Sequence, residues 1–342
     1  MGRGGPTSFK PPEIGIWEEK TMKLSATLLK AAALSTLMAT SALAADIAVI
    51  GGSTDDAFWN KIKKGLDDAT PAVVANGGSV NYLRLVNYDN FAPDVVQLIR
   101  TAISMEVDGL VIPNWVPEAE DPAIKDAIAA GITVILMNAG GADKARELGA
   151  INYVGNEEYP AGVAGGEYFA AHGQKNVMCV NTLPGTVNIE ARCKGVADAM
   201  GAKGVKSFQL PLPSTSFGDA TAVAEAIKAE ILKDETIDGV ITISAGDADS
   251  AAIGIDQSGR AETIALASFD MNEAGLQRIK DGKQSFAIDQ QPYLQGYLSV
   301  GLLASAIDFG TSLPTFPVLT GPGIVDSSNI DATLAGVQKG AR

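Results

Sequence analysis

Short apolar runs of strand length alternate with longer segments of helical periodicity along most of this 342-residue chain. The first unit pairs a strand at 46–52, DIAVIGG, with a helix that begins at AFWNKIKKG, and the alternation restarts near residue 151 at similar length. Strands that are apolar throughout indicate parallel sheets with helices on both faces. The sequence therefore predicts an α/β fold of two doubly wound parallel-sheet lobes.

Polar and aromatic side chains follow many of these predicted strands. In an open parallel sheet, ligands bind beyond the carboxyl ends of the strands. The candidates there, together with one arginine on a following helix, are Asp56, Phe58, Trp59, Asn114, Trp115, Asn138, Arg192, Phe217, Asp247, Asp270 and Gln290. If the two lobes face each other, all of these side chains line one cleft.

The chemistry of these side chains suits an uncharged ligand with several hydroxyl groups. A carboxylate can accept hydrogen bonds from neighbouring hydroxyls, an amide offers both a donor and an acceptor, and aromatic rings cover the C–H faces of a carbohydrate. The sequence contains no Gly-rich phosphate loop and no nucleophile–base pair. We therefore predict a small neutral polyhydroxylated ligand, no cofactor, no metal site and no catalytic residues.

Several candidates also have a purely structural interpretation. Asp55 or Asp56 could simply cap the first helix, and Asp247 and Asp270 could be N-caps of later helices. Trp115 could pack against the hinge, and Arg192 could be solvated on its helix. The joint placement of the candidates at strand ends favours a binding site over these separate explanations.

The charge and histidine content exclude other classes of function. The net charge is −14, whereas a nucleic-acid-binding protein needs a basic surface. The chain has one histidine, His172, so a histidine-based metal site or a Ser-His-Asp triad is not expected.

A secretory signal peptide is predicted near residues 22–44. It starts at Met22 with Lys23 and Lys30, continues with an apolar stretch and ends in Ala-Leu-Ala. The apolar stretch is too short and too often interrupted by Ser and Thr to be assigned as a membrane span. We expect Met22 to be the true start and the mature chain to begin near Ala45.

Two cysteines, Cys179 and Cys193, are present. In the oxidising compartment that export implies, a disulfide would close a loop of about 15 residues and contribute roughly 3 kcal/mol. The alternative is two buried thiols packed as small apolar side chains.

Several motifs in the mature chain resemble a known family. DDAFWNKIKKG, DGLVIPN, GITVILMN, GVAGGEY, EARCKG and DQQPYLQGY resemble the ribose/galactose-type periplasmic solute-binding proteins of ABC importers, across residues 46–330. This resemblance implies a type 1 periplasmic binding protein fold, in which a three-strand hinge lets two lobes close over a sugar in the periplasm. It implies an importer permease as partner, with a chemoreceptor as a further candidate partner.

The resemblance also implies domain boundaries and ligand roles. Residues 1–44 are the leader and signal peptide, 45–154 plus 291–320 the N-terminal lobe, and 155–290 plus 321–342 the C-terminal lobe. The family's ligand positions match Asp56, Phe58, Trp59, Arg192, Phe217, Asp247, Asp270 and Gln290, with Asn114 a looser match.

One departure from the family pattern concerns the ligand. Ribose binders typically show Asp-Arg after the fourth strand, but this chain has Asn138-Ala139. The arginine clamp on the ring or anomeric oxygens is therefore missing. We expect a sugar alcohol such as a tetritol or pentitol, or a close monosaccharide.

Two other functional classes compete with this interpretation. The effector domain of a sugar-responsive transcription repressor shares the fold but requires an N-terminal helix-turn-helix and a basic face. An exported α/β enzyme requires a cofactor motif or a nucleophile–base pair. The signal peptide, the acidic charge and the lack of such motifs argue against both.

Overall fold

Two six-stranded sheets, each covered by helices, form the framework of the part of the chain described in this computed structural model, residues 1, 2, 5 and 44–342. The predicted leader and signal peptide therefore lie almost entirely outside the described residues. The strands are β1 Asp46–Gly51, β2 Ser79–Arg84, β3 Gly109–Ile112, β4 Thr133–Met137, β5 Asn152–Asn156, β6 Asn176–Asn181, β7 Lys206–Pro211, β8 Gly239–Thr242, β9 Ala265–Phe269, β10 Phe286–Asp289, β11 Val318–Gly321 and β12 Gly323–Val325.

Eleven α-helices accompany these strands among the described residues. They are α1 Ala57–Ala75, α2 Phe91–Ser104, α3 Pro117–Ala129, α4 Gly141–Leu148, α5 Glu158–Ala171, α6 Val187–Ala202, α7 Ala220–Lys233, α8 Ala245–Gln257, α9 Glu273–Lys280, α10 Pro292–Phe309 and α11 Ile330–Gln338. A short 3₁₀ helix, Ser214–Ser216, lies between β7 and α7.

The strand order defines the two predicted lobes. The first sheet has the order β11-β5-β4-β3-β1-β2 and the second β12-β10-β9-β8-β6-β7. All neighbouring strands are parallel except β10 and β12, which are antiparallel. Inner strands such as β3 and β8 are buried along their whole length, as expected when helices cover both faces. The predicted fold class is confirmed.

The chain passes between the lobes three times. The crossings are β5 to α5, β10 to α10, and β11 to β12. Three adjacent connections of this kind form the predicted hinge and allow the lobes to rotate as units. The residue boundaries proposed for the two lobes, at 154/155, 290/291 and 320/321, stay a prediction.

Helix α1 shows how the sequence positions the cleft. Its apolar residues Trp59, Ile62, Leu66 and Val73 recur at helical spacing and are buried. The helix ends before Gly77, which adopts a left-handed φ of 95°. Since α1 starts directly after β1, its first turn lies at the carboxyl edge of the first sheet.

Helix α6 is fixed by a disulfide and by close helix packing. Cys193 in α6 is bonded to Cys179 in β6, with 5.6 Å between their Cα atoms, so the predicted disulfide is confirmed. A Cβ placed on Gly162 of α5 would lie 2.1 Å from the carbonyl oxygen of Arg192 in α6. The two helices therefore touch backbone to backbone at Arg192.

Candidate functional site

The carboxyl ends of both sheets face a shared cleft that contains two connected cavities. We call the smaller one, of about 50 Å³ and reaching Arg192 and Gln290, the inner chamber. The larger one, of about 400 Å³ and reaching Lys61 and Asn272, is the outer cavity. The two share the lining residues Asp56, Phe58, Phe217, Ser244 and Asp270.

Most of the predicted site residues meet in the inner chamber. Its lining includes Asp56, Phe58, Trp59, Trp115, Asn138, Arg192, Phe217, Asp270 and Gln290. Asp247 lines the outer cavity instead. Residues from both lobes and from the hinge therefore surround one small space, as the strand-end pattern predicts.

Asn114 is the predicted residue that lines neither cavity. It is fully buried, and its Nδ2 donates to Asp121 Oδ1 at 2.8 Å. The next residue, Trp115, forms the chamber wall. The structure thus places Asn114 behind the wall, where it supports the loop that carries Trp115.

Aromatic rings form one side of the inner chamber. The set comprises Phe58, Trp59, Tyr88, Phe91, Trp115 and Phe217. Trp115 packs against Trp59 and Phe91 with ring centroids 5.5 and 5.1 Å apart, and Tyr88 meets Phe217 across the cleft at 4.9 Å. These contacts give an apolar wall suited to the C–H faces of a sugar or polyol.

Arg192 lines the chamber and has two N–H bonds that no described residue accepts. Its Nε and Nη2 donate to the two carboxylate oxygens of Glu158 at 2.7 and 3.0 Å, and its Nη1 donates to the carbonyl of Ile243 at 2.9 Å. A guanidinium has five N–H bonds. One therefore remains on each terminal nitrogen, and Arg192 lines the chamber.

The charge of Arg192 is secured by its partner. Burial alone would lower the pKa of the guanidinium, but the adjacent carboxylate of Glu158 raises that pKa above its ordinary value. The guanidinium also lies over the ring of Phe269, with 4.6 Å from its central carbon to the ring centroid. It is thus a rigid, permanently charged donor.

Asp56 has both a structural and a site role. As the N-cap of α1, its Oδ1 accepts from the backbone N–H of Phe58 at 3.0 Å, and its Oδ2 accepts from Tyr88 Oη at 2.8 Å. Of the two aspartates considered as caps of this helix, Asp56 is the N-cap. A carboxylate has about four lone-pair sites, so Asp56 can still accept from a ligand hydroxyl.

Asn138 and Asp270 occupy equivalent positions in the two lobes. They directly follow β4 and β9, and both have left-handed backbones, with φ of 67° and 63°. Asn and Asp tolerate this conformation better than most residues, and such angles cluster at functional sites. Asp270 is not an N-cap, since Asn272 caps α9.

Gln290 contributes an unused acceptor at the hinge. Its Nε2 donates to Asp270 Oδ1 at 2.6 Å, while its Oε1 is buried with no hydrogen-bond partner among the described residues. An unsatisfied buried oxygen costs about 1–3 kcal/mol. A ligand hydroxyl that donates to this oxygen would remove that cost.

Asp247 is held close to the outer cavity by lobe-two contacts. Its Oδ2 accepts from Thr182 Oγ1 at 2.8 Å, and its own backbone N–H donates to Ser244 Oγ at 3.1 Å. Ser244, rather than Asp247, is therefore the N-cap of α8. The capping alternative for Asp247 is wrong.

Direct contacts close the cleft in this structure. The backbone N–H of Val187 in lobe two donates to the carbonyl of Trp115 in lobe one at 2.9 Å. Lys61 of α1 donates through Nζ to the carbonyl of Met271 in lobe two. Lys61 lines the outer cavity but was not predicted as a site residue, although its position three residues after Phe58 places it on the same helix face.

Burial raises the pKa of two site carboxyls, to about 7 for Asp270 and about 6 for Asp247. A carboxyl whose pKa is raised on folding binds its proton more tightly in the folded state. Its contribution to stability is therefore present below the unfolded pKa near 3.8 and is lost as the pH rises toward 7.

We therefore expect Asp270→Asn to change the pH dependence of the unfolding free energy. Between pH 4.5 and 7.5 the wild type should lose stability relative to the variant by up to about 1.4 kcal/mol per pH unit. Urea unfolding of both proteins across this range measures the difference. Parallel pH profiles would show that Asp270 ionises normally.

Other kinds of site are not found in the described part of the chain. No group of three or more His, Cys, Asp or Glu side chains there is placed to hold a metal ion. Among the same residues, no helix combines the length and apolar character needed to cross a bilayer.

Comparison with known proteins gives a family match and several relatives. A family profile described as periplasmic binding protein domain matches residues 47–312. A xylose/arabinose-binding protein of Sulfolobus acidocaldarius is 25% identical over 302 residues, which cover 84% of this chain and 72% of that protein. A D-ribose/D-allose-binding protein of Pseudomonas aeruginosa is 27% identical over 204 residues, covering 57% and 61%.

Solved structures with the same fold include a carbohydrate transporter from Acidothermus cellulolyticus in complex with myo-inositol. It is 34% identical, with a TM-score of 0.79 and coverage of 87% of this chain and 99% of that chain. An ABC transporter solute-binding protein from Burkholderia graminis, in complex with D-arabinose, is 23% identical with a TM-score of 0.72 and covers 84% and 96%. The second comparison supports the fold alone.

Proposed function

This chain belongs to the periplasmic binding protein family, and from that premise we propose that it captures a small neutral sugar or sugar alcohol and delivers it to an ABC importer. The observation that carries this proposal is the set of hydrogen-bonding side chains that line the inner chamber. Arg192 with its two spare N–H bonds, Gln290 with its free oxygen and the carboxyl group of Asp270 line this chamber together with an aromatic wall. This combination matches a ligand rich in hydroxyls and apolar C–H faces.

Among small neutral carbohydrates, the proposal favours a polyol over a monosaccharide as the ligand. The residue after Asn138 is Ala139, which is fully buried. This position therefore supplies no arginine to bind the ring or anomeric oxygens of a sugar. The carbohydrate transporter at 34% identity was solved with myo-inositol, a polyol without an anomeric carbon. We therefore propose a polyol, linear such as a tetritol or pentitol, or cyclic. A monosaccharide is the alternative, favoured by the xylose/arabinose-binding relative.

Closure of the lobes is the proposed mechanism of capture. Ligand bonds to both lobes favour the closed state because they are complete only when the cleft is shut. The interlobe bonds of Val187 and Lys61 accompany that state. The closed protein would then dock on the importer permease, with no catalytic step.

Location and further partners form part of the same proposal. The predicted signal peptide near residues 22–44 would direct export to the periplasm. One structural neighbour, with 21% identity, was solved as the XylFII-LytSN complex. A second protein partner beside the permease, such as a chemoreceptor, is thus a candidate for this chain as well.

Calorimetric titration against a ligand panel tests the proposal. With protein unfolded and refolded to remove bound small molecules, we expect one-to-one binding of a polyol among threitol, xylitol and myo-inositol. Glucose and galactose should bind at least about tenfold more weakly, because their ring and anomeric oxygens find no arginine after Asn138. One lost hydrogen bond of this kind costs about 1.4 kcal/mol or more.

Two results would count against it. Tight aldohexose binding without polyol binding would reject the polyol assignment but keep the binding function. Failure to bind any neutral sugar or polyol, together with binding of an amino acid or anion, would reject the proposal as a whole. Mass spectrometry of molecules released on unfolding gives an independent identification.

A further inference from the structure

Two carboxylates face the start of strand β1. The backbone N–H of Ala45 donates to Asp308 Oδ1 at 2.8 Å, and the N–H of Asp46 donates to Asp108 Oδ2 at 2.9 Å. Asp308 belongs to the last turn of α10, whereas Asp108 directly precedes β3. Two different parts of the chain thus bring negative charge to the nitrogens of Ala45, which precedes β1, and of Asp46, the first residue of β1.

The position of Asp308 is electrostatically unfavourable without a cation. The C-terminal end of a helix carries partial negative charge, which destabilises an acidic side chain there. No basic residue lies in the last turn of α10. Within residues 44–342, Asp308 forms no ion pair with a lysine, arginine or histidine, and Asn76 Nδ2 lies 3.5 Å from its Oδ2.

The sequence predicts a processing site at this same nitrogen. The Ala-Leu-Ala segment at 42–44 ends immediately before Ala45. Hydrolysis of the Ala44–Ala45 peptide bond by a signal peptidase adds one water, leaving a carboxylate on Ala44 and an amino group on Ala45 that takes up a proton. The nitrogen that donates to Asp308 would then carry a positive charge.

We propose that Asp308 is the binding site for the α-ammonium group that signal-peptide removal creates on Ala45. This inference rests on the export included in the proposed function. Cleavage replaces the hydrogen bond from a neutral amide N–H to the Asp308 carboxylate by an ion pair between an ammonium group and that carboxylate, which adds a Coulomb attraction between two opposite charges. It also supplies the cation that the end of α10 lacks. Processing would therefore stabilise the start of β1, an inner strand of the first sheet.

The α-amino group of the exported protein gives a direct test. Intact mass should first show a chain that begins at Ala45. A ¹³C NMR titration of the reductively methylated N-terminus should then give an α-amino pKa at least about one unit above the ordinary 7.7–8.0. Asp308→Asn should return this pKa to the ordinary range, whereas Asp108→Asn, the matched control, should lower it less.

Wild-type protein provides a second measurement in case the Asp308 variant fails to fold. Selective acetylation of the α-amino group should lower the thermal unfolding midpoint by about 2–4 °C. A mature N-terminus at another residue would overturn the proposal. So would an α-amino pKa that is unchanged by Asp308→Asn, or an acetylated protein as stable as the free one. None of these results depends on whether a sugar binds.

Discussion

Replacing Arg192 with methionine is expected to reduce ligand affinity by about two to three orders of magnitude, because truncating one partner of buried charged hydrogen bonds costs 2–5 kcal/mol. The same change should lower the unfolding free energy by about 3–5 kcal/mol, since it leaves the buried carboxylate of Glu158 without its partner. Calorimetry and urea unfolding measure the two effects separately.

A double variant distinguishes binding from folding. Arg192→Met combined with Glu158→Gln removes both buried charges and should recover most of the lost stability. It should not recover binding, because the two spare N–H bonds are still missing. Recovery of affinity in the double variant would show that Arg192 acts only by supporting the fold.

The substitution Gly162→Ala is expected to be strongly destabilising, although it adds only one methyl group. Its Cβ would lie 2.1 Å from the carbonyl oxygen of Arg192, so α5 and α6 must separate. We expect a loss of about 3 kcal/mol or more in unfolding free energy. Ligand affinity should also fall, because the shift moves the backbone that carries the guanidinium.

Gly201→Ala is the matched control for that change. Gly201 also lies in a helix, α6, but a Cβ there meets no atom within 4 Å. Alanine should therefore stabilise the protein by up to about 1 kcal/mol through helix propensity. Equal effects of the two substitutions on the denaturation midpoint would contradict the packing explanation.

The alternation of strands and helices was sufficient to predict the fold class, and the family match confirms the resemblance found in the motifs. The last elements, β11, β12 and α11, were not predicted individually. β11 and β12 have only four and three residues, and they pair with β5 and β10 respectively. For β11 the partner lies far away in the chain, so local periodicity carries no signal for the pairing.

The site residues that could be predicted from the sequence are those that directly follow a strand, at the carboxyl edge of a sheet. Asp270 and Gln290 directly follow strands, and both line the inner chamber. Glu158 could not be predicted as the partner of Arg192, because an acidic residue in the first turn of a helix is common for electrostatic reasons alone. The contact joins residues 34 positions apart and exists only after α5 and α6 pack.

The bridge between Cys179 and Cys193 forms by oxidation directly beside Arg192, the proposed ligand donor, since Cys193 follows Arg192 in the chain. Protein made in a reducing cytosol would contain two thiols at this point, and helix α6 would lack its covalent tie to the sheet. Ligand affinities measured on the reduced protein would therefore not apply to the disulfide-bonded protein. Preparation by secretion, or with verified oxidation, is therefore a condition for every binding experiment described above.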